Sequence, residues 1–88
     1  MKSQLLEWND LWDAMDSKPD QWHETTESMY YEMLCVLPPR KQIGDCFMVG
    51  EPLRHNEKGE AIHACFARFG DRFKAKNLTI QGFINECA

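Results

Sequence analysis

Pro38-Pro39 divides this 88-residue chain into two parts with different hydrophobic periods. No α-helix runs through a Pro-Pro step, because each ring removes an amide donor and clashes with the preceding turn. Upstream, large apolar residues recur every three or four positions; downstream they alternate. A chain so divided is held to helices first and sheet afterwards, an α+β order.

Leu5, Trp8, Leu11, Trp12 and Met15 fall on one face of a helix expected over about 3–16, with Glu7, Asp10, Asp13 and Asp16 opposite. Pro19 ends it. Thr26 suits the N-cap of a second helix, whose apolar stripe is Met29, Tyr30, Met33, Leu34 and Leu37. Trp22, between the two, is placed to staple their connection. Residues 46–51, 60–69 and 72–77 read as strands, with turns at Asn56-Glu57-Lys58-Gly59 and Gly70-Asp71. The second turn sets a register in which Arg68 faces Phe73 and Phe66 faces Ala75. Ile62, Ala64, Phe66, Phe73 and Ala75 then share the face that meets the helices. Thr79 caps a last helix carrying Ile80, Phe83, Ile84 and Cys87. The expectation is one small α+β domain over 1–88: two N-terminal helices packed on a three-stranded antiparallel meander, with a short C-terminal helix.

A chain of this length buries roughly 60–65% of the surface its unfolded form exposes, so each of the three Trp and five Phe is first a core candidate. A homodimer would add core. No apolar run is long enough to span a membrane, and no secretory signal precedes the first helix. Cys35, Cys46, Cys65 and Cys87 contain no C-x-x-C pair and read as free thiols of a reducing cytoplasm.

Two constellations suggest chemistry. His63 and Cys65, two apart on one strand, point to one face, and Cys46 on the neighbouring strand offers zinc a third ligand. The same cysteines, with His23, His55 or His63 as base, are the only candidates for thiol catalysis. No phosphate-binding loop, metalloprotease or hydrolase motif is present, and the chain reads as a non-enzyme without a cofactor.

Charge is more informative. Residues 1–41 hold eight acidic groups against four basic, whereas residues 42–88 hold six of each. Asp10, Asp13 and Asp16 form an acidic helix face suited to a basic protein surface. Arg68, Arg72, Lys74 and Lys76, interleaved with Phe69 and Phe73, form a candidate nucleic-acid or anion stripe, opposed by the net charge of −4. A third candidate surface is an uncovered sheet face left with Phe47, Val49 and Tyr31 exposed.

The run Thr26 to Pro39, ending in Leu37-Pro38-Pro39, is followed by Val49-Gly50-Glu51-Pro52 and by His55-Asn56-Glu57-Lys58-Gly59. Over about residues 26–73 this resembles small bacterial proteins of unknown function carried on plasmids, prophages and other mobile DNA. The resemblance implies the order of elements and a bacterial cytoplasmic origin, and it assigns no activity. The expected role is an accessory or adaptor protein that binds another protein, with nucleic-acid binding through the basic stripe and zinc binding as alternatives.

Overall fold

The computed structural model describes residues 8–88. Its elements are α1 (Trp8–Ser17), β1 (His23–Thr25), α2 (Glu27–Val36), β2 (Pro39–Ile43), β3 (Cys46–His55), β4 (Ala61–Phe69), β5 (Arg72–Thr79) and α3 (Ile80–Cys87). Residues 3–7 of the expected first helix, Leu5 and Glu7 among them, lie outside the described residues.

The sheet is five-stranded and antiparallel, in the order β1-β5-β4-β3-β2, which corrects the three-stranded meander; and because β1 lies between α1 and α2, the order of two helices first and sheet afterwards is corrected as well. The expected strands form its centre, and two unexpected ones flank them. β1 is three residues long, too short for a period of two to register. β2, Pro-Arg-Lys-Gln-Ile, is exposed over its first four residues and so has no apolar alternation to read. Its Pro39 is tolerated because it opens an edge strand, where no ladder donor is missed. The β2–β3 hairpin closes through Gly44-Asp45 as β4–β5 closes through Gly70-Asp71, with Gly44 and Gly70 both at positive φ.

Both helix caps form as expected. The Thr26 hydroxyl accepts from the Met29 amide at 3.0 Å and the Thr79 hydroxyl from the Gly82 amide at 3.1 Å. The β4–β5 register pairs Phe66 with Ala75 and Arg68 with Phe73. Ala64, Phe66 and Ala75 accordingly join Val49 in a core with Leu11 and Met15 of α1 and Met29, Tyr30 and Met33 of α2. The alternate residues build a second core. Cys46, Met48, Cys65, Ala67 and Leu78 pack against Phe83 of α3, with Cys87 and Trp22 at its margin. The domain thus has three layers, α1 and α2 on one face of the sheet and α3 on the other. Trp22 belongs to the α3 layer and does not staple the first two helices.

Tyr30 ties α2 to the β2–β3 turn, donating its hydroxyl to the Asp45 carbonyl at 2.9 Å. Its ring lies 4.9 Å from that of Phe73. Burial, and secondarily the Asp45 carboxylate, pushes its phenol up to about 12. A pKa raised on folding contributes stability that is full below pH 10 and lost as the pH climbs towards 12. In a Tyr31→Phe variant, absorbance at 295 nm should follow the single remaining phenol, ionising near pH 12 or together with unfolding. Ionisation near pH 10 with the fold intact would contradict this placement.

Both edges of the sheet are protected against strand addition. β1 is short, while β2 carries Pro39, Lys41 and a register shift between them.

Candidate functional site

The structure brings the sequence-derived candidates together unevenly. Cys46 and Cys65 share the α3 face, since Cys46 pairs with Ala67 and Cys65 lies two residues before it on β4. His63 is buried on β4, and its Nδ1 donates to the Gly50 carbonyl at 3.2 Å, at the bulge of β3. That bond fixes the tautomer and engages one ring nitrogen with the backbone. Among the described residues, no group of three His, Cys, Asp or Glu side chains is placed to hold a metal. The neighbour of Cys46 and Cys65 is Cys87 of α3, which spacing along the chain did not suggest.

Cys65 is also ill suited to nucleophilic work. Burial pushes Cys65 far up from its ordinary range, with Cys87 adding to the effect. A protonated thiol in an apolar core is the reverse of an activated nucleophile. His23 is buried as well, its Nε2 donating to the Lys18 carbonyl at 2.8 Å.

The four basic residues do not form one stripe. Arg68 pairs with Phe73 and lies on the α1/α2 side, whereas Arg72, Lys74 and Lys76 alternate onto the α3 side. Arg72 meets Glu24 at 3.1 Å. Lys74 sits 5.6 Å over the Phe69 ring. Lys76, only 9% exposed, is held by Glu86 at 2.6 Å. Glu86 also accepts from Trp22 Nε1 at 2.9 Å, and the Lys76 ammonium lies 5.9 Å from the Trp22 ring. These charges fasten α3 and the α1–β1 connection to β5.

Of the proposed sticky surface, Val49 is buried and Phe47 is half-buried against the α1/α2 core. Tyr31 alone is exposed, at 48%.

The acidic face fares differently. Asp10, Asp13 and Asp16 are all exposed on α1. Asp16 reaches Arg54 at 3.2 Å, joining α1 to the β3–β4 hairpin. Asp10 and Asp13 have no ion-pair partner among the described residues. Glu27 and Glu32 extend the exposed acidic surface along α2. A depression of about 300 Å³ beside the start of α2 adds Glu24 and Asp71 to Glu27, with Arg72 its one cationic residue.

The fold and this surface define a three-layer α+β domain with an acidic helical side. No family model, curated protein or solved structure matches the chain. No helix among the described residues is long and apolar enough to cross a membrane.

Proposed function

We propose that this chain is a non-catalytic adaptor of the bacterial cytoplasm that binds a basic protein surface through the outer side of α1 and α2. The observation that supports it is segregation of charge. α1 and α2 hold five acidic groups (Asp10, Asp13, Asp16, Glu27 and Glu32) and no basic one, whereas residues 37–88 hold six acidic groups and eight basic ones. Four of those basic groups are in intramolecular ion pairs. The acidic side therefore carries most of the outward field, which steers a cationic partner and opposes nucleic acid. Half-buried Trp12 and exposed Tyr31 add aromatic area of the kind that anchors interfaces. Two copies meeting through this side would bring like charges together, so the partner is a different protein.

The test is retention of proteins from a bacterial lysate, with and without nuclease, on the wild-type chain and on Asp10→Lys/Asp13→Lys. A stoichiometric partner should survive nuclease, and the double variant should bind it about tenfold more weakly at low salt. Equal retention by the double variant would refute the acidic surface. Material lost with nuclease would point to nucleic acid instead.

A further inference from the structure

We propose that Cys46 and Cys87 are a dithiol pair that exchange with a small-molecule disulfide closes into a bond, locking α3 onto the sheet. Cys46 opens β3 and is 5% exposed; Cys87 ends α3 and packs against the same core, with the Cys46 thiol among its neighbours. Cys65 lines that core from β4. Cys35, exposed on α2, lies on the opposite side of the sheet.

Access comes from the helix itself. α3 has eight residues, too few to be stable apart from its packing, and its outer Ile80 and Ile84 stay about two-fifths exposed. Opening of its last turn presents Cys87 to solvent while the sheet stays paired. In the closed state burial, together with the contact to Cys46, pushes the Cys87 thiol up, so exchange proceeds through the open form.

The Cys87 thiolate attacks one sulfur of the small disulfide, forming a mixed disulfide and expelling one thiolate. As α3 redocks, the Cys46 thiolate attacks the Cys87 sulfur and expels the second. The protein pair loses two electrons, the small disulfide gains them, and the two thiol protons end on the two released thiols.

The test uses the full chain carrying Cys35→Ser, equilibrated with oxidised and reduced glutathione. The three remaining cysteines fall in three different tryptic peptides. The expected product is lighter by about 2 Da and joins the peptides of Cys46 and Cys87. Closing a loop of about 40 residues should raise the thermal midpoint by about 10 °C over the reduced form. Adding Cys87→Ser, at a margin position that leaves the core intact, should abolish both changes. An unchanged mass, a persistent glutathione adduct on Cys87, or a cross-link through Cys65 would overturn the proposal.

Discussion

Phe66→Ala is expected to lower stability by about 3–5 kcal/mol, the largest effect of any single truncation proposed for this chain. Phe66 is wholly buried at the middle of β4, the central strand. It stands opposite Phe47 on β3 and Ala75 on β5, and meets Trp12 of α1 edge-on at 6.4 Å. Truncation removes the transfer energy of a whole ring and leaves a cavity whose walls are fixed by two ladders. A domain of this size has only about 4–13 kcal/mol in total. Urea unfolding followed by Trp fluorescence should show a much lower midpoint at unchanged slope. Phe69→Ala, on the same strand but 39% exposed, should cost about 1 kcal/mol or less. Equal losses at the two positions would refute the facing of β4.

Glu86→Ala should cost about 1–3 kcal/mol, because it strands a buried ammonium. The Lys76 side chain is 11% exposed and that of Glu86 33%, so the two partners are not equivalent. Lys76→Met removes the buried charge and leaves a carboxylate that water reaches, so its loss should be the smaller. Lys76→Met/Glu86→Leu should recover most of what Glu86→Ala loses, since an apolar pair of similar volume avoids desolvating either charge. Chemical denaturation of the three variants checks the order. A larger loss for Lys76→Met would mean that Lys76 matters through its cation–π contact with Trp22 rather than as a buried charge.

Much of the acidic surface was readable in the sequence, because carboxylates opposite an apolar helical stripe must face water. What escaped was the fate of individual charges. Alternation places Arg72, Lys74 and Lys76 on one face, but it says nothing of the carboxylates that Glu24 and Glu86 bring from β1 and α3. Asp16 lost its independence to Arg54 in the same way, through a contact between distant segments. Cys46, His63 and Cys65 do not gather as a ligand set among the described residues, because spacing along a strand fixes only the face His63 shares, while its Nδ1 donates to the Gly50 carbonyl at the β3 bulge.

By itself the sequence determined the elements whose physics is local. Pro19 and Pro38-Pro39 end helices by sterics, Thr26 and Thr79 cap them, and the Gly70-Asp71 turn sets the β4–β5 register. Tertiary structure alone decided the two flanking strands, the placing of α3 opposite α1 and α2, and the meeting of Cys46 with Cys87. Three residues of β1 and the polar β2 become strands because a neighbour supplies their ladder bonds. The face on which a helix docks depends on which apolar surface remains uncovered, and no window of sequence contains that information.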